Sequence, residues 1–378
     1  MKINIVGGGP AGLYFAILMK RQDPGRDITI FERDKASDTF GWGIVFSDRT
    51  FSYLEESDEP SFKEILANCE IWDNVDIVHR GEKISVYGNH FSGIARITFL
   101  NILQRRCAEL GVNLRFSTNI TDVETIKDAD LIVGADGANS LVRRTYSDAF
   151  QPSIAVRHNK YIWLGTHQLF HGLTLTFREN QAGLFIAHSY KFNKTTSTFI
   201  VECSEAVWQQ AGLNEMNEAQ TCNYLEAVFK DDLQGHRLLT NNFVKWLNFL
   251  LVKNQHWHHR NIVLLGDALH TAHFSIGSGT KLALEDAIAL AQSFAPGKEV
   301  PETLVDFENT RKPFVDDLQD AAYASLILFE NAKDELKLEP IPFAYKFMTR
   351  SKKINHERLR RRDPNFIAAY ENWLRQNG

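Results

Sequence analysis

Three glycines near the start of the chain are spaced like a phosphate-binding turn. Gly7, Gly9 and Gly12 follow an apolar strand predicted over residues 3–6 and open a predicted apolar helix. The first glycine suits a tight turn, the second lets the backbone approach a pyrophosphate, and the third lets helix and strand pack closely. The unpaired N–H groups and positive dipole end of the helix attract an anion. This spacing favours binding of the ADP half of a dinucleotide.

An acidic residue at the end of the next predicted strand supports the same interpretation. Glu32 follows a strand predicted over residues 28–31, 20 residues beyond Gly12. A carboxylate in this place accepts hydrogen bonds from ribose hydroxyls. A glycine turn alone would also fit an ordinary strand-to-helix turn, and Glu32 alone an ordinary surface residue. Strand, helix, second strand and acid at these offsets together favour nucleotide binding.

Two later motifs place an aspartate and glycines after apolar strands predicted over residues 130–133 and 262–265. Ligands of open α/β sheets bind at the carboxyl ends of strands. A carboxylate there accepts hydrogen bonds from sugar-like hydroxyls, and glycines let backbone N–H groups approach a flat ring. Either motif alone would equally fit a turn, but their order along one chain is a strong signal. The residues are Asp136, Gly137, Gly266, Asp267, Gly277 and Gly279.

The elements around these motifs predict the fold class. Helical spacing occurs over residues 96–110, 216–229 and 281–294, and alternating apolar residues from about 155 to 250 predict antiparallel strands. We predict an α/β protein with a Rossmann-like nucleotide-binding domain, an inserted, mainly antiparallel β-sheet substrate domain and a C-terminal helical region. The predicted ranges are 1–70, 90–154 and 255–330 for the first, 71–89 and 155–254 for the second, and 331–378 for the third.

Composition restricts the classes of partner. The net charge of −5 gives no general case for nucleic acid. The four cysteines form no C-x-x-C pair, which predicts neither a zinc site nor a disulfide framework and fits a reducing, cytoplasmic location. We expect no membrane span, because no stretch of about 18 apolar residues occurs. His256, His258 and His259 crowd near Trp257, but without a carboxylate or cysteine pattern they predict a polar turn rather than a metal site.

Taken together, the three motifs resemble those of the single-component FAD-dependent aromatic hydroxylases, the p-hydroxybenzoate hydroxylase superfamily, over nearly the whole chain. Segments 159–166, 198–203 and 273–280 are most similar to the branch that holds salicylyl-CoA 5-hydroxylase, the monooxygenase half of 2-aminobenzoyl-CoA monooxygenase/reductase and the tryptophan-pathway hydroxylase of violacein synthesis. The chain departs from the broader family at Phe274, where proline is usual, and at Lys281, where asparagine is usual. Contacts to the flavin ring are therefore expected to differ there.

The resemblance implies a set of FAD-binding residues. Arg96 matches the family's Arg-x-x-Leu-x-x-x-Leu helix, the Asp136 motif is linked to both FAD and the nicotinamide cofactor, and Asp267 matches the aspartate that binds the ribityl chain. The implied cofactor-binding residues are Gly7, Gly9, Pro10, Ala11, Gly12, Glu32, Arg33, Trp42, Gly43, Arg96, Asp136, Gly137, Gly266, Asp267, Gly277 and Gly279.

The resemblance also implies the reaction. NADH or NADPH would reduce FAD, and O2 would form a flavin C4a-hydroperoxide that hydroxylates an aromatic ring. The site must then exclude water, and the glycine loop at residues 41–43 is a candidate moving segment. His188, His273 and Phe274 are the catalytic pocket candidates, with His188 as a base on a substrate phenol. Trp163 and Tyr190 would floor the site, although ordinary core duty would also explain each of these residues.

The tail at residues 350–362 contains seven Lys or Arg. It is either a solvated helix face or a site for the phosphates of a CoA thioester, because arginine pairs well with phosphate. A salicylyl-CoA-like or aminobenzoyl-CoA-like thioester is therefore the predicted substrate. The alternatives are an indole or tryptophan-derived substrate and, in another class, a non-catalytic flavin-binding protein. No separate reductase is expected, and a monomer and a homodimer are both compatible with the sequence.

Overall fold

The computed structural model describes residues 1–241 and 244–377, apart from the side chains of residues 48 and 49. Residues 242, 243 and 378, which the predicted domain ranges include, lie outside the described residues. The strands are β1 (Lys2–Val6), β2 (Asp27–Phe31), β3 (Gly43–Ser47), β4 (Glu70–Trp72), β5 (Val75–His79), β6 (Glu82–Val86), β7 (Phe91–Ala95), β8 (Asn113–Arg115), β9 (Leu131–Gly134), β10 (Pro152–Thr166), β11 (Leu173–Asn180), β12 (Gly183–Lys191), β13 (Ser197–Ser204), β14 (Leu238–Leu239), β15 (Leu247–Asn254), β16 (His258–His259) and β17 (Ile262–Leu264).

Helices follow many of these strands and form most of the C-terminal region. They are α1 (Pro10–Gln22), α2 (Asp48–Ser57), α3 (Glu59–Ala67), α4 (Arg96–Glu109), α5 (Leu141–Thr145), α6 (Ser147–Phe150), α7 (Glu205–Gln210), α8 (Glu218–Val228), α9 (Lys230–Leu233), α10 (Gly279–Ser293), α11 (Val300–Glu330), α12 (Pro340–Met348), α13 (His356–Arg362) and α14 (Pro364–Asn377), with short 3-10 turns at Val123–Ile126, Gly266–Ala268, Phe274–Ile276 and Ala332–Glu335.

The first sheet is mainly parallel and has the order β16-β17-β9-β1-β2-β8. Its central strands are nearly continuous apolar runs, as expected for strands covered on both faces. Helix α1 begins at Pro10, whose fixed φ suits the first helical position. Residues 10–20 of α1 are all buried, and the helix packs against α4 and α10. The carboxyl ends of β1, β9 and β17 therefore meet at one edge, where the three sequence motifs come together.

The second sheet contains eight strands, ordered β14-β10-β13-β12-β11-β5-β6, with β15 paired to β10. Most pairs are antiparallel, and β5 joins β11 in parallel. Its side chains alternate between two faces, because successive residues of a strand point to opposite sides. Helices α8 and α9 cover one face, while the opposite face looks toward the first sheet and α11. A smaller sheet, β3-β7-β4, lies between them.

The C-terminal helices are packed against the second sheet. Phe329 of α11 and Phe343 and Phe347 of α12 contact Phe177 of β11, with ring centroids 4.7 to 6.4 Å apart. Burial of four aromatic side chains in one cluster is a large apolar contribution to stability. The C-terminal region is therefore fixed to the strand that lies beside His188.

The structure confirms the predicted fold class and the long helices. Predicted helices at 96–110, 216–229 and 281–294 correspond to α4, α8 and α10. The segment from residue 70 to 86 forms three strands, of which β5 and β6 join the second sheet. Strand β4 instead pairs with β7, because long-range pairing rather than local sequence decides its partner. In the described residues, no helix combines the length and apolar character required to cross a membrane.

Candidate active site

A cavity of about 430 Å³ lies between the carboxyl ends of the first sheet and one face of the second. On the first side it is lined by the turns that follow β1, β9 and β17. On the second side it is lined by side chains of β5 and β10–β13, and at one end by the C-terminal tail. A volume of this size is typical of small-molecule sites. Predicted site residues that line it are Gly9, Pro10, Ala11, Gly43, Arg96, Gly137, Gly266, Asp267, Gly277, Gly279, His188 and Phe274.

The first glycine turn has two packed glycines and one open glycine. Gly7 has φ +108°, and a Cβ added there would lie 2.2 Å from the carbonyl oxygen of Ala135. A Cβ at Gly12 would lie 2.3 Å from the carbonyl oxygen of Gly7. At Gly9 an added Cβ would meet nothing within 4 Å. Gly7 and Gly12 thus hold the turn together, and Gly9 keeps the space above the helix N-terminus clear.

Open space also surrounds two glycines of the later motifs. Added Cβ atoms at Gly137 and Gly279 would meet nothing within 4 Å, and both residues line the cavity. Gly137, Gly266 and Gly277 have φ values of +80°, +58° and +62°, where glycine is strongly preferred. The three motifs therefore form one concave surface of exposed backbone.

Two charged side chains face this surface. Asp267 projects into the cavity and accepts no hydrogen bond from the described residues. Desolvation raises the pKa of its carboxyl, and the positive charge of Arg96 partly offsets this shift. The Nε of Arg96 is buried without a hydrogen-bond partner among the described residues. Burial lowers the pKa of Arg96, while Asp267 and Tyr190 oppose that shift. An acceptor and a donor are thus held ready for a polar ligand.

Two predicted carboxylates bond to the backbone instead of lining the cavity. Glu32 accepts hydrogen bonds from the N–H of Gly8 (2.7 Å) and of Asp34 (2.9 Å). Asp136 accepts from the Leu141 N–H (2.6 Å) and from the Ser140 hydroxyl, and so holds the start of α5. Each carboxylate shapes the turn on which a nucleotide would lie. Arg33 is mostly exposed, with its Nε 3.6 Å from Asp34.

The loop at residues 41–43 is packed against the second sheet. An added Cβ at Gly41 would lie 2.6 Å from the ring of Trp163, and one at Gly43 would lie 2.6 Å from Cβ of Phe192. The Gly43 N–H donates to Thr198 (2.9 Å), and its carbonyl accepts from the Tyr190 hydroxyl (2.8 Å). The indole of Trp42 packs over Gly165 and is not part of the cavity lining. These contacts fix the loop here, and its motion stays a prediction.

The residues of the first side fit FAD. Gly9, Gly137 and Gly279 leave a cradle that side chains would fill, the N-terminus of α1 opens into it, and Asp267 and Arg96 offer unpaired polar atoms. A pyrophosphate suits the helix N-terminus, and hydroxyls of a sugar-like chain suit a free carboxylate.

One face of the second sheet forms the opposite wall. The strand register places the lining residues side by side. Val75 pairs with Leu173, His188 with Ile200, and Ile200 with Trp163. Tyr161 and Tyr190 extend the same face. Aromatic and aliphatic side chains thus exclude water from this wall, with His188 as a titratable group among them.

His188 is bonded to a carboxylate that the sequence predictions did not include. Its Nε2 lies 3.0 Å from Glu202 Oε1, and both side chains are nearly fully buried. Glu202 is also 3.9 Å from Nε2 of His273. A signal was present in the sequence, because an acidic residue inside an otherwise apolar strand requires a buried partner. The partner itself lies on another strand.

His273 and Phe274 occupy different places. Phe274 lines the cavity and packs against Tyr161 and His188, with ring centroids 5.0 and 5.2 Å apart. His273 was predicted as a catalytic pocket candidate, but it does not line the cavity. Its Nδ1 bonds to the Ser275 hydroxyl (2.8 Å), which turns the ring into the protein. Burial, only partly offset by Glu202, lowers the pKa of His273 to about 4.

The basic residues of the tail divide between the cavity and the surface. Arg350, Ser351, Ile354 and Arg362 line the cavity, and Arg362 donates to Asn89 (3.0 Å). Several other basic residues are paired on the surface: Lys353 with Asp317, Arg360 with Glu357 and Glu371, and Arg361 with Glu357. The first and last arginines of the tail are thus site residues, which the charge count alone could not distinguish.

The histidines near Trp257 lie away from the cavity. His256 and His258 face Glu308 at 4.0 and 3.6 Å. No group of three or more metal-binding side chains is found in the part of the chain that the structure describes.

The chain matches known proteins along most of its length. The model of the family described as "FAD binding domain" matches residues 1–322. Among solved structures, a tetrameric form of 2-methyl-3-hydroxypyridine-5-carboxylic acid oxygenase superposes with a TM-score of 0.71 at 20% identity, covering 96% of this chain and 97% of that one. This likeness shows a shared fold.

Three relatives have higher identity. Salicyloyl-CoA 5-hydroxylase from a Streptomyces species is 38% identical over 99% of this chain and 74% of its own. Protodeoxyviolaceinate monooxygenase from Chromobacterium violaceum is 34% identical over 94% and 95%. The 3-hydroxy-4-methyl-anthranilyl-[aryl-carrier protein] 5-monooxygenase of Streptosporangium sibiricum is 34% identical over 88% and 90%. The predicted resemblance is confirmed: the chain belongs to the FAD-binding domain family and is an FAD-dependent aromatic monooxygenase.

Proposed function

We propose that this monooxygenase hydroxylates an aromatic ring that is carried as a thioester, of the salicylyl-CoA or aminobenzoyl-CoA kind. Two of the three relatives above are named for thioester-bound aromatic substrates, one on CoA and one on a carrier protein. The third is named for a violacein precursor, which keeps an indole-derived substrate as the second candidate.

The shape of the cavity is the observation that supports a thioester. The cavity extends from the glycine cradle to the tail, where Ile354 and Arg362 line it while remaining partly exposed. A ring beside the flavin could therefore continue outward as a flexible arm past the tail. Lys352 and Arg358 are exposed nearby, and neither forms an ion pair with the described residues. Such cations suit the phosphates of a carrier group.

FAD, when bound, supplies the redox chemistry that activates O2 with electrons from NADH or NADPH. We infer that the predicted cofactor residues hold it: the three glycine motifs receive the cofactor, and Arg96 and Asp267 make polar contacts to it. The apolar wall of the second sheet holds the substrate ring and excludes water. Nδ1 of His188 accepts the proton of a ring hydroxyl or amino group, which makes the ring more electron-rich. The predicted domain ranges follow the same division and remain part of this proposal.

Matched pairs of substrates test the proposal. The FAD-loaded enzyme would be given NADH or NADPH and O2 with salicylate, anthranilate or tryptophan, and with the CoA thioesters of the two acids. We expect cofactor oxidation and a product that has gained one oxygen atom with a thioester. The same gain on tryptophan or another indole alone would establish the second candidate instead. Bound FAD that no nicotinamide cofactor reduces, with any of these compounds, would contradict both.

Two neighbouring arginines provide a matched test of the tail. Arg362→Gln removes a cation that lines the cavity, and we expect KM for the thioester to rise about tenfold, as for the loss of one charge-assisted contact. Arg361→Gln removes an exposed arginine paired with Glu357, and its KM should stay within about twofold. Equal KM values for Arg362→Gln and the wild type would contradict the proposed exit of the arm.

A further inference from the structure

A buried chain of polar groups joins the tail to the base. Nε of Arg350 lies 3.0 Å from Oγ of Ser325, which is 2.8 Å from Oγ of Ser275. Ser275 Oγ is 2.8 Å from Nδ1 of His273. His273 then faces Glu202, the partner of His188. A cation and a carboxylate are thus connected through two hydroxyls and an imidazole, and the last step, from His273 Nε2 to Glu202 Oε2, is an electrostatic contact of 3.9 Å.

The direction of each hydrogen bond can be deduced from the ends of this chain. The Ser275 N–H approaches Nδ1 of His273 at 3.4 Å, so this nitrogen is an acceptor. The Ser275 hydroxyl therefore also donates to it. Arginine can only donate, so Ser325 accepts from Arg350 and donates its own proton to Ser275. The proton of His273 is then on Nε2, the nitrogen that faces Glu202.

The tautomer of His188 follows from its carboxylate partner. An ionised carboxylate only accepts, so the Glu202 oxygen at 3.0 Å requires a proton on Nε2 of His188. The other nitrogen, Nδ1, then carries a lone pair. No described residue bonds to that nitrogen, and His188 lines the cavity. The geometry leaves one basic atom facing the place of the ring.

We propose that Arg350, acting through Ser325, Ser275, His273 and Glu202, is a positioning residue that holds His188 in the tautomer whose Nδ1 takes a proton from the substrate. The inference rests on the proposed function. In the step, the O–H or N–H bond of the substrate breaks and an Nδ1–H bond forms. The substrate keeps the electron pair, and the new imidazolium is paired with Glu202. No oxidant or reductant takes part.

Other charged and titratable groups around His188 are few. Tyr161 lies opposite Glu202 on β10, and burial raises its pKa to about 12, so it stays neutral. Arg157 approaches His273 but is itself paired with Glu330. Phe274 and Phe329 cover the remaining sides of the His188 ring. Glu202, with His273 behind it, is therefore the group that sets the state of this base.

The tautomer of His188 can be measured without substrate. In ¹⁵N-histidine-labelled, FAD-loaded enzyme, the His188 signals are assigned by their loss in His188→Gln. We expect Nε2 protonated and Nδ1 unprotonated in the wild type. The glutamine side chain in Glu202→Gln can donate as well as accept, so a share of His188 should gain a proton on Nδ1.

Ser189→Ala is the matched control for Ser325→Ala. Ser189 is buried beside His188 on the other face of β12 and has no hydrogen-bond partner among the described residues.

The pH dependence gives the second readout. We expect Glu202→Gln to lower kcat/KM about 100-fold, in the range of a lost general base. We expect Ser325→Ala to lower it about fivefold, as for one hydrogen bond, and to move the acidic limb of the pH profile. Ser189→Ala should leave both unchanged. A wild-type His188 protonated on Nδ1, a wild-type tautomer in Glu202→Gln, or an unchanged kcat/KM and pH profile in Ser325→Ala would overturn the inference. Because the spectra need no substrate, failure of the thioester proposal would be seen separately, in the product assay.

Discussion

The two sides of the cavity hold buried charge in different ways. On the cofactor side, Asp286 of α10 directly contacts an imidazole and a guanidinium, with 2.8 Å to Nε2 of His270 and 2.9 Å to Nε of Arg311. On the substrate side, Glu202 is separated from Arg350 by two hydroxyls and an imidazole. Direct pairing compensates the negative charge of Asp286 at the carboxylate itself. Relayed pairing leaves the carboxylate free to orient His188.

The walls differ in the same sense. The cofactor side presents mainly backbone, because its glycines carry no side chain and the carboxylates of Glu32 and Asp136 are bonded to N–H groups. The substrate side presents side chains from separate strands and from the tail. Under the proposed function, the first side receives the cofactor, and the second side selects and activates the substrate ring. Substitutions on the cofactor side should therefore act mainly on stability and FAD content.

The largest effect is expected at Asp286. Burial raises the pKa of this carboxyl, but His270 and Arg311 outweigh burial and lower it overall. Asp286→Asn leaves Arg311 without this partner and should cost about 3 kcal/mol of unfolding free energy at pH 7. Since the folded pKa is depressed, the contribution is present above the unfolded pKa and declines as the pH falls below about 4. Urea denaturation across this range measures it.

Asp320→Asn is the control for that prediction. Asp320 is an exposed carboxylate, 3.5 Å from Lys253, and exposed pairs contribute at most about 1 kcal/mol. Equal losses for the two variants would show that direct burial of Asp286 does not stabilise the cofactor side.

The next effect is expected at Gly7. Alanine there would meet the Ala135 carbonyl and adopt a positive φ, and we expect a loss of about 3 kcal/mol together with FAD. Gly81→Ala is the control, because Gly81 has φ +80° but open space around an added Cβ. Gly81→Ala should cost about 1 kcal/mol of unfolding free energy, because it introduces backbone strain but no steric clash. Denaturation and FAD absorbance report both. A Gly7→Ala protein that keeps its stability and its FAD would contradict this account of the turn.

The pH dependence of stability tests the burial of His273 on the substrate side. Burial, opposed by Glu202, lowers its pKa to about 4. Between pH 6.5 and about 4, His273 is protonated in the unfolded chain but remains neutral in the folded protein. Stability therefore falls as the pH drops through this window, by up to about 3 kcal/mol from this group. His273→Gln should flatten that slope in denaturation experiments, whereas the exposed His90→Gln should keep it. If the unfolding free energy of the wild type, His273→Gln and His90→Gln depended on pH in the same way, the pH dependence could not be assigned to His273.

The smallest effect is expected where the two sides meet. The Tyr190 hydroxyl donates to the Gly43 carbonyl and so joins the second sheet to the loop at residues 41–43. Tyr190→Phe leaves that carbonyl without this donor and should cost about 1 kcal/mol. FAD should also dissociate somewhat faster, which fluorescence of the released cofactor would show. An unchanged dissociation rate would mean that the loop is held by its other contacts.

The same difference explains what the sequence could predict. Gly7, Gly9 and Gly12 specify a backbone turn within six residues, so their spacing alone indicates the cradle. The pairing of His188 with Glu202 depends on the register between β12 and β13, which no local pattern shows. The tail was recognised as basic, but only its packing reveals that Arg350 and Arg362 line the cavity. Local conformation was predictable, whereas partners brought together from distant segments were not.

The most direct test of the account is whether FAD and the aromatic thioester share one cavity. Salicylyl-CoA would be titrated into the oxidised, FAD-loaded enzyme while the visible absorption of the flavin is recorded, with Arg362→Gln measured in parallel. We expect a saturable change in the flavin spectrum, with a midpoint at higher thioester concentration in the variant. Saturable binding of the thioester without any change in the flavin spectrum would contradict it, because the ring would then lie away from the cofactor.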